Sequence, residues 1–219
     1  MPRFSQFIDL LSESLSQPLP GEDAQYHMAP FERKLRASQM MGNVEPRPSA
    51  VLILMYPKNE QVHTVLILRP AYEGVHSAQV GFPGGKQEDS DPTLQDTALR
   101  ESVEEIGIME DDVEVLGQLT PLFIAPSGFM VYPYVGVCNH HPSFIPDPVE
   151  VARILEVPLT DLVSDLTVKE KPILLKSIQR EIMVPYFDLS GEVVWGATAM
   201  MISELKVILK GMPEDAWQL

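Results

Sequence analysis

The 219-residue sequence contains a single cysteine, Cys138. One cysteine cannot form an intrachain disulfide, which excludes the disulfide-rich secreted class and favours a reducing compartment. The sequence also lacks any apolar run of about 18 residues or more, and its N-terminus has no basic segment followed by a long apolar stretch. We therefore expect a soluble cytoplasmic protein that has no membrane partner.

Positive charge is scarce, because 16 Lys and Arg residues stand against 31 Asp and Glu residues, for a formal net charge of −15. Such an acidic surface argues against a nucleic-acid partner or an anionic membrane surface. It would also repel an anionic small substrate unless a bound cation offset the charge locally. Hydrophobic residues make up 45% of the chain, which is normal for a globular protein with a full core.

The first 44 residues are predicted to form a helical extension of the main domain. Apolar residues recur at helical spacing from Phe4 to Leu15, and Pro18 and Pro20 end that pattern. A second short helix is predicted over residues 31–41. Pro46 and Pro48 then mark the entry to the main domain, which we place at residues 45–219.

Strand and helix patterns are mixed along the main domain. Residues 50–56 and 62–68 predict two strands joined as a hairpin by the turn at 57–60. Further strands are predicted at 113–119, 130–137 and 182–187, and helices at 159–163 and 197–209. The last helix is amphipathic, with four residues expected to face inward: Met200, Met201, Leu205 and Ile208. This order predicts an α/β fold, an α/β/α sandwich with a mixed sheet.

The most informative segment runs from Arg100 to Gly107 and reads Arg-Glu-Ser-Val-Glu-Glu-Ile-Gly. On a helix, Glu101 is a neighbour of both Glu104 and Glu105, so the three carboxylates repel one another by ~0.2–0.5 kcal/mol per pair. A hard divalent cation, which prefers oxygen ligands, would turn that repulsion into attraction. The alternative is an ordinary solvated helix face.

The bounds of this helix are marked in the sequence. Asp91 is predicted as the N-cap and Pro92 as the first helical residue, while Gly107 is placed to end the helix. One face is apolar and predicted to pack inward, through Ala98, Leu99, Val103 and Ile106. The glycines of the preceding segment, residues 81–86, would let bare backbone approach the same helix.

Together, these residues resemble the signature of the Nudix hydrolases, a loop, helix and loop that ends in Arg-Glu-x-x-Glu-Glu-x-Gly. Gly85 and Asp91 have the family's spacing of five intervening residues, with Asp91 in place of the usual Glu. Eight residues rather than seven separate Asp91 from Arg100, and this extra residue is similar to the coenzyme A diphosphatase branch of the family.

A second motif resembles the same branch, which carries Leu-x-x-Arg and then His-x-Gly-Gln-Val-x-Phe-Pro-Gly-Gly. Residues 66–69 and 76–85 match most of these positions. Three positions depart from the pattern, where the branch has a small residue, Arg and Gly: Pro70, Gly74 and Ala78. The resemblance covers about residues 45 to 211 and implies a Nudix-type α/β/α sandwich that hydrolyses a diphosphate bond, by way of Mg²⁺ or Mn²⁺.

The resemblance also implies a ligand set for the cation. Glu101 and Glu105 are the leading ligand candidates, Glu104 is a third ligand or binds through water, and the carbonyl of Gly84 is a further contact. Arg100 has no lone pair to offer a metal, and its guanidinium fork suits holding Glu101 or Glu104 in place.

The general base and the substrate contacts are left open by the sequence. Glu105 and Glu150 compete for the role of base, since the family draws it from the signature or from a later loop. Arg69 and Lys86 are candidate substrate-binding cations in place of the basic residue missing at position 74, and Gln79 is a candidate for substrate positioning. Three more cations are available for the same role: Lys169, Lys171 and Arg180.

The resemblance implies coenzyme A as substrate, cut to 3′,5′-ADP and 4′-phosphopantetheine. The three departures keep open a second substrate class, ADP-ribose or another nucleoside diphosphate derivative. A non-catalytic sensor of a nucleotide ligand is a further alternative, against which the self-repelling acidic cluster argues. A homodimer is common in the family.

Overall fold

A mixed β-sheet is built around the long strand β1 (Arg47–Lys58) in the computed structural model, which describes residues 2–29, 45–71, 77–175 and 180–219. Strand β2 (Gln61–Leu68) pairs with β1 as the predicted antiparallel hairpin. Asn59 and Glu60 make the tight turn between them, with φ of 48° and 60°. Sequence reasoning thus located the hairpin correctly, although β1 starts three residues earlier than predicted.

Six shorter or later strands complete this sheet and pair with β1, β2 or a third long strand. They are β3 (Val80–Gly81), β4 (Gly84–Lys86), β5 (Glu114–Gln118), β6 (Leu122–Ile124), β7 (Phe129–Val137) and β8 (Arg153–Pro158). Strand β7 runs parallel to β1, whereas β4 pairs antiparallel with the start of β1. The strands predicted at 113–119 and 130–137 correspond to β5 and β7.

A second, antiparallel sheet contains β9 (Val168–Leu175), β10 (Arg180–Leu189) and β11 (Glu192–Val194). The strand predicted at 182–187 is the middle of β10. Strand β9 was not predicted, because Lys169, Glu170 and Lys171 follow one another and Pro172 lies inside it. Proline is tolerated there because β9 is an edge strand that pairs only with β10 among the strands described.

Helices cover both faces of the large sheet, which confirms the predicted α/β/α arrangement. On β1, Ile53 and Met55 point to one face, while Leu52 and Leu54 point to the other. This period-two alternation divides the core into two clusters, and both faces of the strand are buried. The α-helices of the described residues are α1 (Pro2–Ser16), α2 (Gly21–Gln25), α3 (Leu94–Ile106), α4 (Leu159–Val163) and α5 (Gly196–Lys210).

The core cluster opposite α3 contains α1 and α5. Phe4, Phe7 and Leu11 of α1 are buried in it, as the helical spacing predicted. Helices α4 and α5 lie where the sequence predicted helices, and the four apolar side chains expected to face inward on α5 are buried. The division at residue 44 stays a prediction, and the short helix predicted at 31–41 lies outside the described residues.

The N-terminal segment is also tied to α5 by a buried carboxylate. Glu204 is fully buried and accepts hydrogen bonds from the backbone N–H of Gly21, from Gln25 Nε2 and from Thr120 Oγ1, at 3.1, 2.9 and 2.6 Å. A buried carboxylate with several donors is well compensated. None of the described helices is long and apolar enough to cross a membrane.

Helix α3 begins later than predicted. Thr93 is its N-cap, because Thr93 Oγ1 accepts the Asp96 N–H and the Asp96 carboxylate accepts the Thr93 N–H, a reciprocal capping box. The prediction of Asp91 as N-cap and Pro92 as first residue was therefore wrong. Gly107 ends the helix in the left-handed region, with φ of 68°, as predicted.

The buried face of α3 is also rotated relative to the predicted one. Ala98, Leu99 and Ile106 are buried as expected, but Val103 is 37% exposed. The position that faces inward instead is Glu105, which is 1% exposed. A carboxylate that the sequence placed on the polar face is thus the most buried acidic group of the helix.

Candidate active site

Strand β4 and helix α3 meet through glycine backbone. The Gly84 N–H donates a 2.8 Å hydrogen bond to Glu105 Oε2. A Cβ at Gly84 would lie 2.3 Å from the Ala50 carbonyl oxygen and 2.5 Å from Val51 Cα, and its φ is +147°. Only glycine fits this position, because both the close approach to β1 and the dihedral angle exclude a side chain.

Gly85 makes room for the second carboxylate of the helix. A Cβ there would lie 2.4 Å from Glu101 Cδ and 2.5 Å from each carboxylate oxygen. Glu101 therefore rests directly on bare backbone and is only partly exposed. Burial raises the pKa of Glu101, while the neighbouring Arg100 lowers it.

Glu105 has one oxygen held and the other free of a well-formed hydrogen bond. Oε2 accepts from Gly84, whereas Oε1 is buried and has no hydrogen bond of good geometry among the described residues. Arg69 Nη1 lies 3.0 Å from Oε1, so the contact is an ion pair with poor hydrogen-bond direction. Burial raises the pKa of Glu105 to about 7, against the lowering effects of Arg69 and the Gly84 N–H; Glu101 and Glu150 raise it further.

A third carboxylate reaches the same place from a distant loop. The loop after β7 is hydrogen-bonded onto the end of α3, where Ile145 N–H donates to the Ile106 carbonyl and Asp147 N–H to the Glu105 carbonyl. This docking brings Glu150 to the helix. One oxygen each from Glu101, Glu105 and Glu150 lies within 4.8 Å of the other two.

These three carboxylates fit a hard divalent cation. Opposite ligands of Mg²⁺ lie about 4.2 Å apart, twice the usual ~2.1 Å bond, so small side-chain rotations would suffice to close the set. The buried, incompletely bonded Glu105 Oε1 gives a second reason, because such an atom is costly to bury without a partner. The Gly84 carbonyl, another predicted contact, accepts a 2.9 Å hydrogen bond from Arg69 Nη2.

Glu104 lies outside this group of three. Its side chain is 55% exposed and pairs with Arg100 Nη1 at 2.9 Å. Glu104 is therefore a weaker candidate for a cation ligand than the sequence analysis left open. Glu150, which the sequence weighed only as a base, lies closer to the two signature carboxylates.

Arg100 connects the helix to the loop before it. Its guanidinium contacts Asp91 Oδ1, Glu101 Oε1 and Glu104 Oε2, at 2.8, 3.0 and 2.9 Å. Hydrogen bonding to Arg100 holds the pKa of Asp91 well below its usual range, although burial opposes this, and the same hydrogen bond raises the pKa of Arg100. Asp91 also accepts from Thr97 Oγ1 and the Glu88 N–H. The Asp91 carboxylate is thus occupied by these contacts, above all by Arg100, and does not cap the helix.

The predicted substrate-binding residues lie at different distances from this cluster. Arg69 touches it directly, through Glu105 and Gly84. Gln79 is half-buried just before β3, and its carbonyl accepts the Arg69 N–H. Lys86 is exposed at the end of β4, and its carbonyl accepts from Arg100.

The other candidate cations are on the second sheet. Lys169 pairs with Asp188, and Lys171 lies 5.9 Å above the Tyr186 ring. Arg180 begins β10. Gly74 lies outside the described residues.

One departure from the family motif has a visible backbone consequence. Ala78, which stands where the related branch has Gly, takes φ of 53°. Its N–H donates to the Pro70 carbonyl, a hydrogen bond between described residues near the end of β2 and the start of β3. Ala78 thus adopts a left-handed conformation that suits glycine better, at a steric cost of roughly 1–2 kcal/mol.

Comparisons with known proteins show which family the chain is similar to. The NUDIX domain model matches residues 46–178. The chain is 35% identical over 159 residues to the uncharacterized Nudix hydrolase NudL of Photorhabdus laumondii, covering 73% of this chain and 83% of that protein. It is 33% identical over 172 residues to NudL of Pectobacterium atrosepticum, with coverage of 77% and 86%.

A solved structure supports the fold. The crystal structure of RenU, a Nudix hydrolase from M. smegmatis, aligns with a TM-score of 0.51 at 13% identity, over 76% of this chain and 88% of that one.

Proposed function

This chain belongs to the Nudix hydrolase family, and we propose that it hydrolyses the diphosphate bond of coenzyme A or of its thioesters, to give 3′,5′-ADP and 4′-phosphopantetheine or its acyl derivative. The observation that carries the reaction class is the convergence of Glu101, Glu105 and Glu150 beside the glycine backbone of β4. The substrate rests on the motif at residues 66–69 and 76–85.

The proposed cation site consists of three carboxylates and one backbone carbonyl. Glu101, Glu105 and Glu150, together with the Gly84 carbonyl, would hold Mg²⁺ or Mn²⁺. The chemistry supplied by such a cation is polarisation of the phosphate oxygens and a lowered pKa for bound water. Arg100 keeps Glu101 oriented, as its 3.0 Å contact indicates. Glu104 contributes at most through water.

In the reaction, a bond forms between the oxygen of water and one phosphorus, and the bond from that phosphorus to the bridging oxygen breaks. The bridging oxygen leaves on the other phosphate, and one proton of the water passes to a base. We assign the role of base to Glu150, through the carboxylate oxygen that does not bind the cation, because Glu150 is exposed on a loop, whereas Glu105 is buried and fixed by Gly84. No covalent intermediate with the protein is required.

Substrate recognition would need cations, since the chain as a whole is strongly acidic. In this proposal Arg69 would contact the diphosphate, and Lys86, at the end of β4, would contact a more distant phosphate such as the 3′-phosphate of coenzyme A. Gln79 supports Arg69 through its carbonyl. We also propose a cytoplasmic location, which the single cysteine favours, and a homodimer stays a prediction.

Two alternatives remain distinct by experiment. ADP-ribose, or another nucleoside diphosphate derivative, is favoured if the missing basic residue at Gly74 removes recognition of the 3′-phosphate. A non-catalytic sensor would bind a nucleotide ligand without turnover.

The test is hydrolysis of coenzyme A beside ADP-ribose with Mg²⁺ or Mn²⁺, with the products separated by chromatography. We expect metal-dependent formation of 3′,5′-ADP that Glu105→Gln abolishes. The exposed Glu114→Gln is the matched control, since it makes the same change at the start of β5. Turnover of ADP-ribose alone would replace the substrate, and turnover of neither would reject the proposal.

A further inference from the structure

Arg69 bridges two oxygens that the proposed function assigns to the cation. Its Nη1 lies 3.0 Å from Glu105 Oε1, and its Nη2 donates a 2.9 Å hydrogen bond to the Gly84 carbonyl. The backbone N–H of Arg69 is fixed by the Gln79 carbonyl at 3.0 Å, so the side chain starts from a defined corner between β2 and β3. A single planar fork therefore covers both contacts.

Only one oxygen of Glu105 lacks a hydrogen bond among the described residues. Oε2 is occupied by the Gly84 N–H, so Oε1 is the oxygen left for a metal ion, and it is the oxygen that Arg69 contacts. A guanidinium and a divalent cation on the same carboxylate oxygen would repel each other at short range in a buried setting. Arg100 differs from Arg69 because, besides contacting Glu101, it is held by two carboxylates that do not belong to the group of three, Asp91 and Glu104.

We propose that Arg69 and the divalent cation compete for Glu105 Oε1, so that cation binding releases the Arg69 guanidinium, which then turns to the substrate diphosphate. Arg69 is 26% exposed at its side chain, which leaves it a route to move, while Glu105 is 1% exposed and fixed. The released fork suits a diphosphate, because guanidinium binds phosphate oxygens in pairs. This inference rests on the proposed function, since it takes Glu105 as a ligand.

The two arginines near the cluster give opposite expectations. With Arg69→Gln, the Mn²⁺ dissociation constant should fall by at least about fivefold, the lower end of common coupling between two binding partners. With Arg100→Gln, Mn²⁺ should bind more weakly, because Glu101 loses its orienting contact. Arg47→Gln removes one positive charge elsewhere, where Arg47 lies over the Phe129 ring, and should leave Mn²⁺ affinity within twofold.

The measurement is titration of Mn²⁺ by electron paramagnetic resonance, without substrate, alongside thermal unfolding with and without Mn²⁺. Arg69→Gln should lower the unfolding temperature of the cation-free protein. Added Mn²⁺ should nevertheless raise the unfolding temperature of this variant by more than it raises that of the unmodified protein. A merely structural role would weaken both folding and binding. Arg69→Lys keeps the positive charge but replaces the planar guanidinium by a single ammonium group. Its Mn²⁺ affinity should lie between those of the unmodified protein and Arg69→Gln.

The second arm is kinetic. At saturating Mn²⁺, Arg69→Gln should raise KM for coenzyme A, and an unchanged KM would overturn the transfer of Arg69 to the diphosphate. Unchanged or weaker Mn²⁺ binding by both Arg69 variants would overturn the competition. If the unmodified protein bound no Mn²⁺, the proposed function would fail with it, whereas binding and turnover without an Arg69 effect would reject this inference alone.

Discussion

Replacing Gly85 with alanine should disturb the proposed metal site while leaving the fold intact. The new Cβ would lie 2.4 Å from Glu101 Cδ, whereas carbon atoms in contact are about 3.5 Å apart or more, so the carboxylate must retreat by about 1 Å. The atoms that have to move are the far end of a flexible side chain and not backbone. Gly85 also has no left-handed φ that would strain an alanine.

Gly85→Ala should therefore fold normally and bind metal poorly. Loss of glycine freedom in the unfolded chain contributes about 0.4–1 kcal/mol of stability, which offsets the cost of moving Glu101, so the free energy of unfolding should stay within about 1 kcal/mol of the original. Misplacing a ligand should weaken Mn²⁺ binding by about 10–100-fold, as loss of a supporting contact does in other metal sites. That range corresponds to about 1.4–2.8 kcal/mol.

The assay pairs urea unfolding with Mn²⁺ titration by electron paramagnetic resonance. Gly81→Ala, at the end of the nearby strand β3, is the matched control, because its Cβ would meet Thr198 Oγ1 at 3.7 Å, an ordinary contact. It should change Mn²⁺ affinity by less than about twofold. If Gly85→Ala also bound Mn²⁺ within about twofold, the reasoning that Glu101 is a ligand seated on this backbone would be refuted.

Two further predictions concern the start of helix α3. Thr93→Ala removes the hydrogen bond from the Asp96 N–H and should lower the free energy of unfolding by about 1 kcal/mol in urea titration; an unchanged value would argue against the capping box. Asp91→Asn should lower it by about 1–3 kcal/mol at pH 7. The folded-state pKa of Asp91 lies below its ordinary 3.8, so the ionised carboxylate stabilises the fold fully only above that pH. The difference in unfolding free energy between the original protein and Asp91→Asn should therefore be largest above about pH 5 and shrink as the pH falls below about 4. Urea unfolding at several pH values will test this. A difference that grew on acidification would contradict the assignment.

The course of α3 illustrates what local sequence can and cannot decide. Gly107 was predicted correctly as its end, since a left-handed glycine is a local requirement. The start was misplaced because Asp91-Pro92 and Thr93 with Asp96 are both plausible N-terminal signals. The choice was settled by Arg100, nine residues later, which takes up the Asp91 carboxylate. A contact between two such residues leaves no periodic pattern in the sequence from which it could be predicted.

Glu150 illustrates the same limit at longer range. Its candidacy came from the family resemblance, because the segment around it is a proline-rich loop with no pattern of its own. What brings it to the helix is backbone hydrogen bonding, from Ile145 and Asp147 to the last carbonyls of α3. Those bonds use main-chain groups that every residue carries, so the sequence contains no side-chain signal for them.

Glu105 shows why the site is more than a helix face. The spacing of Glu101, Glu104 and Glu105 predicted that the three carboxylates would be neighbours on the helix, but spacing alone does not predict how their surroundings differ. They differ because β4 covers the helix unevenly: the Gly84 N–H reaches Glu105, Gly85 leaves space for Glu101, and Glu104 stays 55% exposed beside Arg100. The two glycines thus sort three similar residues into a buried anchor, a seated ligand candidate and a solvated neighbour. A cation placed there would bind to a junction between strand and helix, so substitutions in β4 should affect its affinity as strongly as substitutions among the carboxylates.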